Sequence, residues 1–342
     1  MGFHKREIKK GVYGELSKIQ EELEEAFDAE EQGQELMLLI ELSDMIGAIE
    51  GVAKKYGFSL EQLKAFAKLR SKVAMEEEIS KQIKSKEGKK YKNFTMITTS
   101  EVCNKKCPYC IAKLDNLPEK EEDLLALERT IRELKDSGCE FDYFVLSGNG
   151  EPSLYNFNVL KSIRDIVYNS GIFKEKRIQT SGFLFYDEDK FNLFKEWIIE
   201  ITRVAIDYET DSKVCRYSKD YLETEAIKSA RLRVNLVLLK QNIHNLLEVI
   251  KMYAEQPNVE IVALKILDNK DNEWITKNAI GYDKLDDLVA YLSEEFGEVN
   301  KKFSNFLWTY EGKTITMSGN KDYLEKDLDS LYWYGDNFLN RG

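Results

Sequence analysis

The chain is poor in proline, histidine and cysteine: its 342 residues include four prolines, two histidines and five cysteines. With so little proline and 19 glycines, collagen-like and Pro-rich chains are excluded. Five cysteines are few, and odd in number, so a disulfide framework is not expected. No apolar run approaches the ~20 residues that cross a bilayer, so no membrane association is expected. The start, Met1-Gly-Phe-His-Lys-Arg, has no apolar stretch behind it of the kind a secretory signal carries, and a reducing cytoplasm is the expected compartment. Basic residues are in deficit, 50 Lys and Arg against 61 Asp and Glu, a net charge of −11. That balance disfavours non-specific binding to nucleic acid or anionic lipid. Core material is plentiful, 43% hydrophobic and 11% aromatic, and the length suits two domains at roughly 100–200 residues each.

Residues 1–75 carry apolar side chains at three- and four-residue steps: Leu16, Ile19, Leu23 and Phe27, then Leu36, Leu39, Ile40, Met45, Ile46 and Ile49. This is the period of amphipathic helices, and no proline precedes Pro108. Gly33 and Gly57 mark turns, and Ser59-Leu-Glu-Gln caps a third helix over 60–75. Residues 76–92 are a charged stretch with six lysines between 81 and 92, a solvated linker or helix extension. From Phe94 the pattern alternates. Strands are predicted at 94–99, 142–147, 176–180, 203–207, 232–239 and 259–266, with helices at 121–136, 157–169, 187–200, 221–229 and 243–255. Strict alternation argues for a parallel sheet, either doubly wound or part of a barrel, with functional groups at the carboxyl ends of the strands. A helix over 283–296 follows, then a hairpin in which Glu311-Gly312 is the turn, and an aromatic stretch, Leu331-Tyr-Trp-Tyr.

Three of the five cysteines cluster directly after the first predicted strand, as Cys103-Asn-Lys-Lys-Cys107-Pro-Tyr-Cys110. Thiolates are ligands of zinc and of iron–sulfur centres. Structural zinc takes four protein ligands, no fourth lies nearby, and His4 and His244 are poorly placed to supply one. Three thiolates with an open position suit a 4Fe–4S cluster; a zinc knuckle is the rival. Cys139 reads as core and Cys215 as a loop residue. The Cys-x3-Cys-x2-Cys spacing, the aromatic Tyr109 before the last cysteine and the position after the first strand resemble the radical S-adenosylmethionine superfamily over about residues 94–270. The resemblance implies a partial barrel of six β/α units. It also implies a 4Fe–4S cluster on Cys103, Cys107 and Cys110, S-adenosylmethionine on its unique iron, a 5′-deoxyadenosyl radical that takes hydrogen from the substrate, and a reductant such as flavodoxin or ferredoxin. Ser147-Gly148-Asn149-Gly150-Glu151-Pro152 is similar to the family's Gly-Gly-Glu-Pro turn against the methionine amino group, departing from it at Asn149. By the same resemblance Tyr109, Thr180, Ser181, Asp207 and Asn235 are further S-adenosylmethionine contacts, and Lys265 lies late in the sixth strand. Read by themselves, Asp207 is equally a helix cap and Asn235 an ordinary strand residue.

Near the amino terminus, Glu21-Glu22-Leu-Glu-Glu25 is followed by Glu41-Leu-Ser-Asp44. Glu22 and Glu25 share a helix face, as do Glu41 and Asp44. If the two helices are antiparallel neighbours their carboxylates meet, and such a cluster serves to hold a hard divalent cation, magnesium or manganese. The alternative is a solvated acidic face. The paired motif, with Glu15-Leu-Ser-Lys-Ile-Gln and Ile46-Gly-Ala-Ile around it, resembles the MazG-type nucleoside triphosphate pyrophosphohydrolases over about residues 12–74. The resemblance implies Mg2+ on Glu22, Glu25, Glu41 and Asp44, with Lys64, Lys68 and Lys72 toward phosphates, and a homo-oligomer formed through the helical domain.

The expected architecture is therefore α/β, a partial (β/α)6 TIM-like barrel preceded by an all-α helical bundle domain. Its parts are a MazG-like domain at 1–75, a charged linker at 76–92, the radical S-adenosylmethionine barrel at 93–270 and a helix and hairpin extension at 271–342. The expected function is radical modification of a nucleotide or nucleoside. The rivals are a peptide- or protein-modifying radical enzyme whose helices only dimerise, and a zinc-binding oligomeric regulator without enzymatic activity.

Overall fold

The computed structural model describes residues 5–110, 117–118, 120–205, 207–216, 224–267, 271–302, 305–318 and 330–339. His4 lies outside them. The chain divides into two compact units, Met1–Glu78 and Ile79–Gly342.

The first unit contains α1 (Leu16–Glu31), α2 (Glu35–Lys55) and most of α3 (Leu60–Lys84). Gly33 takes a left-handed φ of 66° just past the end of α1, and the Gln34 N–H returns to the Ala29 carbonyl at 3.0 Å. That closure needs a residue without a Cβ penalty, and it leaves a connection short enough to make α1 and α2 antiparallel neighbours. The two helices pack on each other, with Ala26, Ala29, Ala48 and Ala53 buried. At α3 the Gln62 N–H donates to Ser59 Oγ at 3.2 Å, and the Ser59 N–H donates to Gln62 Oε1 at 2.8 Å. This reciprocal pair is the capping box that the sequence predicted. The helix does not stop at 75. It runs to Lys84, so the first half of the charged stretch is helical, and Ile79 and Ile83 are buried in the second unit.

The second unit is built on one sheet of eleven strands. In chain order they are β1 (Lys90–Thr98), β2 (Glu140–Gly148), β3 (Phe173–Thr180), β4 (Ile198–Arg203), β5 (Arg231–Val237), β6 (Val259–Lys265), β7 (Asn300–Lys302), β8 (Asn305–Tyr310), β9 (Lys313–Ser318), β10 (Ser330–Tyr334) and β11 (Asn337–Phe338). The spatial order is β11-β10-β1-β2-β3-β4-β5-β6-β9-β8-β7, with β1 to β6 parallel and adjacent in sequence order. A strand order that never reverses, with crossovers of one hand, puts every connecting helix on the same face. This is the wiring of a barrel wall rather than of a doubly wound sheet, and it settles an alternative the sequence left open. The connecting helices are α4 (Leu124–Asp136), α5 (Phe157–Ser170), α6 (Glu188–Phe194), α7 (Tyr208–Cys215), α8 (Glu225–Ser229) and α9 (Leu246–Ala254); α10 (Glu273–Asn278) and α11 (Leu285–Phe296) follow β6.

The two faces of the sheet differ in chemistry. One carries Phe94, Met96, Phe144, Leu146, Ile178, Ile199, Ile201, Val234, Leu236, Val262 and Leu264, all at most 1% exposed. Trp197 links this face to the helices, stacking edge-on to Phe144 of β2 and to Phe194 of α6. The other face carries Ser147, Arg177, Gln179, Glu200, Thr202, Arg233, Asn235 and Lys265 on neighbouring strands, at registers such as Gln179 beside Glu200 and Glu200 beside Arg233.

Three predicted elements are corrected. The fourth strand spans Ile198–Arg203, not 203–207: Ile199 and Ile201 fill the helix-facing side, Ile198 lies beside Arg177 on the other face, and the expected helix over 187–200 ends at Phe194. A helix over Tyr208–Cys215 was not foreseen, and of the helix expected at 221–229 only Glu225–Ser229 is helical among the described residues. The segment after 270 is not an appendage. Its hairpin is there, with Glu311 and Gly312 both at positive φ, but β9 pairs parallel with β6, and the aromatic stretch is strand β10, parallel with β1.

Candidate functional site

The cysteine loop leaves the carboxyl end of β1 and is fastened at that rim from several sides. At its start, the Thr99 N–H donates to Glu122 Oε1 (2.8 Å) and the Ser100 N–H to the Tyr155 hydroxyl (2.6 Å). Burial raises the pKa of Glu122. In the middle, Ser181 Oγ donates to Asn104 Oδ1 (2.6 Å) and the Lys106 N–H to the Cys215 carbonyl (2.9 Å). Lys105 is buried, with its Nζ 4.0 Å from Asp211, which also pairs with Arg203 at 3.2 Å and accepts the Val204 N–H at 2.7 Å. Arg203 and Asp211 are fully buried, so a charged tether holds the loop from beneath.

On this loop Cys103 is exposed, and Cys107 and Cys110 are half-buried. Burial raises the Cys103 thiol, opposed by the Lys105 N–H. A hydrogen bond with Cys215 and then burial hold Cys107 protonated, while the same contact lowers Cys215. Cys215 is therefore not a loop residue but the buried last residue of α7, 3.1 Å from the Tyr109 hydroxyl. Tyr109 itself packs with Val204, Val237, Leu239, Ile275 and Ala279. Its side chain braces the loop from the core, so an S-adenosylmethionine contact at Tyr109 falls to its backbone. Cys139 is core, as read, donating to the Lys86 carbonyl at 3.1 Å.

Among the described residues, three ligand atoms within 4.8 Å of one another occur only among acidic side chains, not among the cysteines. A single zinc ion needs its donors packed round one atom. A cube accepts thiolates on separate irons, so a wider trio fits it. The three loop thiols, with Cys215 beside Cys107 engaged by the Tyr109 hydroxyl, are a donor set that suits a 4Fe–4S cluster.

The Gly-Asn-Gly turn ends β2 against this loop. A Cβ on Gly150 would lie 2.3 Å from the Val102 carbonyl, and one on Gly148 would lie 2.4 Å from the Gly150 carbonyl. Both positions require glycine because backbone meets backbone. The Asn149 N–H donates to the Thr98 carbonyl, and the Asn149 side chain to the Leu117 carbonyl at 3.3 Å. The buried Glu151 carboxylate accepts from the Ser153 N–H (3.0 Å), Ser153 Oγ (2.5 Å), Thr180 Oγ1 (2.7 Å) and the Ser181 N–H (2.5 Å). Glu151 and Thr180 thus lock the β2 and β3 rims together, rather than holding a carboxylate open for an ammonium. Ser147 Oγ donates to Gln179 Oε1 at 2.7 Å. Asn235 donates to Glu200 at 3.3 Å on the polar face. Asp207 stands beyond the end of β4 and caps α7, accepting the Thr210 N–H at 2.7 Å, a bond that lowers its pKa. The cap reading is the one realised there.

In the first unit the carboxylates do converge. Glu22, Glu41 and Asp44 each offer an oxygen within 4.8 Å of the others, and so do Glu21, Glu22 and Glu25. All but Asp44 are buried. Lys18 lies 2.6 Å from Glu22 and 3.0 Å from Glu21, while Lys10 lies 2.8 Å from Glu21 and 2.7 Å from Glu25. Burial disfavours charge on Glu21, yet hydrogen bonds from Lys10, Gly11 and Lys18 bring its pKa down to about 2. The oxygen-only donor set suits a hard divalent cation.

No family model and no curated protein matches the sequence. The α/β architecture is shared with solved structures. Streptococcus suis SuiB superposes with a TM-score of 0.51 at 14% identity, covering 94% of this chain and 75% of that one. SuiB bound to S-adenosylmethionine gives 0.49 at 14% identity, over 72% and 57%. The FeFe-hydrogenase maturase HydG from Carboxydothermus hydrogenoformans gives 0.46 at 14% identity, over 83% and 69%. Against SuiB bound to the precursor peptide SuiA, the chain spans only 46% of the protein it matches, with a TM-score of 0.47 at 18% identity. At such identities the likeness establishes the fold.

Proposed function

We propose that the α/β unit is a radical S-adenosylmethionine enzyme acting on a nucleotide or nucleoside. The observation that carries this reading is a three-cysteine loop tethered to the carboxyl rim of a parallel sheet whose strands run in sequence order. Cys103, Cys107 and Cys110 would hold the cluster. S-adenosylmethionine would lie against the Ser147-to-Glu151 turn and the Thr180-Ser181 backbone, with Asp207 and Asn235 farther along the rim. When loaded, the cluster and S-adenosylmethionine supply the 5′-deoxyadenosyl radical, with the electron drawn from a donor such as flavodoxin or ferredoxin. The chain's own part is to hold the loop fixed through Lys105, Asn104 and Tyr109.

In the same reading, the helical unit is MazG-like and binds Mg2+ through Glu22, Glu25, Glu41 and Asp44, handling or trimming the nucleotide. Leu36, Leu39, Ile40 and Ile46 are exposed on it, which supports assembly with a second copy. A second reading draws on SuiB, which has been crystallised with a precursor peptide. In that reading the substrate is a peptide and the helices only dimerise.

Anaerobic reconstitution is expected to give a brown protein that forms 5′-deoxyadenosine from S-adenosylmethionine and reductant. Cys107→Ala is expected to abolish both properties. A colourless, zinc-loaded protein without that product overturns the reading. Stimulation of product formation by peptides, and not by nucleotides, selects the second one.

A further inference from the structure

The polar face of the sheet carries a charge imbalance that neither the cluster loop nor the helical unit explains. Glu200 of β4 is buried and central. Arg177 of β3 lies 3.3 Å from it and Arg233 of β5 3.6 Å, while Gln179 and Asn235 donate to it at 3.1 and 3.3 Å. Lys265 of β6 faces the same set from the carboxyl end of its strand. Three cations thus meet one buried carboxylate. Glu175, at 3.7 Å from Arg177, is half-exposed and shared with Arg231, and Lys92 adds positive charge from β1.

Two of the cations keep donor capacity that the described residues do not use. Among the described residues no hydrogen bond or ion pair reaches Lys265 Nζ, and Arg177 Nε is buried without a partner. The Arg177 guanidinium lies 3.6 Å from the Tyr143 ring centroid, which fixes its plane. Burial first, and then Arg233, lower the Lys265 ammonium to about 8, and burial lowers Arg233 as well. A half-buried ammonium beside two guanidinium groups destabilises the folded protein. Such strain is retained where a ligand relieves it.

We infer that Arg177, Arg233 and Lys265 form an oxyanion-binding subsite for a phosphate or carboxylate group of the small-molecule substrate. The subsite lies on the inner face of β3 to β6, beneath the rim that carries the cysteine loop. The inference rests on the radical reading only for calling the ligand a substrate; the anion site itself stands on the geometry. The planar guanidinium groups offer paired N–H donors to two oxygens, and Lys265 supplies a point charge.

The test is titration calorimetry of the reconstituted protein with inorganic pyrophosphate and, separately, glutarate. Chelator is present throughout, so that the helical carboxylates bind no metal–pyrophosphate. Lys265→Met keeps the length of the side chain and removes its charge. Binding of one of the two anions by the parent protein, weakened about ten-fold or more in Lys265→Met and in added salt, is expected. Pyrophosphate alone marks a phosphate ligand, and glutarate alone a carboxylate. S-adenosylmethionine cleavage without substrate is expected to persist in Lys265→Met. Failure of both anions to bind, equal binding by parent and variant, or loss of S-adenosylmethionine cleavage in the variant alone overturns the subsite. Anion binding that depends on Lys265 in a protein forming no 5′-deoxyadenosine at all keeps the subsite and removes the radical reading.

Discussion

The molecule holds two buried clusters of like charge, and they are built in opposite ways. In the helical unit, carboxylates from α1 and α2 gather within a few ångströms, and the balancing charge comes from Lys10 and Lys18. In the α/β unit, cations from three strands surround one carboxylate, Glu200, whose partners are fixed by the sheet ladder itself. The acidic cluster has counter-charges on flexible stems, one of them, Lys10, itself mostly exposed, which a divalent ion can displace. The basic cluster has a rigid counter-charge too small for it. In the readings proposed above, the first arrangement exchanges cations and the second accepts an anion.

The sharpest way to break the comparison is Glu200→Ala. Removing this buried counter-charge leaves Arg177 and Arg233 facing each other, and a loss of about 3–5 kcal/mol is expected in denaturant unfolding. The pH dependence has a defined sign. Burial opposes ionisation of Glu200, but Arg233 and Arg177 bring its pKa to about 2 against 4.5 when free. Its contribution is therefore complete above pH 4.5 and is lost as pH falls toward 2. An acid-unfolding curve unchanged by Glu200→Ala would show that the carboxylate does not anchor the cations.

Glu41→Ala tests the other cluster. It is expected to lower divalent-ion affinity by about two orders of magnitude, and nucleoside triphosphate turnover with it, while S-adenosylmethionine cleavage stays intact. Turnover that survives the substitution removes the hydrolase assignment and leaves the radical one standing.

The smallest effect concerns Lys265. Its folded pKa of about 8 lies below the free value of 10.5. Between those values the unfolded chain carries more protons, so stability rises with pH across the window. Lys265→Met is expected to flatten that slope and to stabilise the protein below pH 8 by about 1–2 kcal/mol. A slope that persists in the variant assigns it to another group.

How much of this was legible beforehand depends on how local each feature is. The cysteine loop, the glycine turn and the acidic helix faces lie within a few residues of chain, and each could be read from spacing. The Ser59 capping box is an equally local signal. Tyr109, Cys215 and Asp211 meet only through α7, a helix whose eight residues show weak apolar periodicity. Arg177, Glu200 and Arg233 belong to no local motif: Arg177 ends a run of charged residues from Lys174, and Glu200 and Arg233 each share their strand with another charge, Arg203 and Arg231. The signal that finds them is alternation: each sits two residues from another polar side chain, on the face opposite the isoleucines and leucines. β10 was missed for the same reason, since an aromatic stretch far along the chain gives no sign of which edge it will join.

From the sequence alone came the division into helices followed by alternating strands and helices, and the thiol and carboxylate motifs, because helical and strand periods and ligand spacings are properties of neighbouring residues. The tertiary structure alone decided that the sheet runs in sequence order, that Glu151 and Tyr109 act as braces, and that three cations share one carboxylate. Those outcomes depend on which strands lie side by side and in what register, and pairing between distant segments is set by packing of the whole chain rather than by any stretch of it.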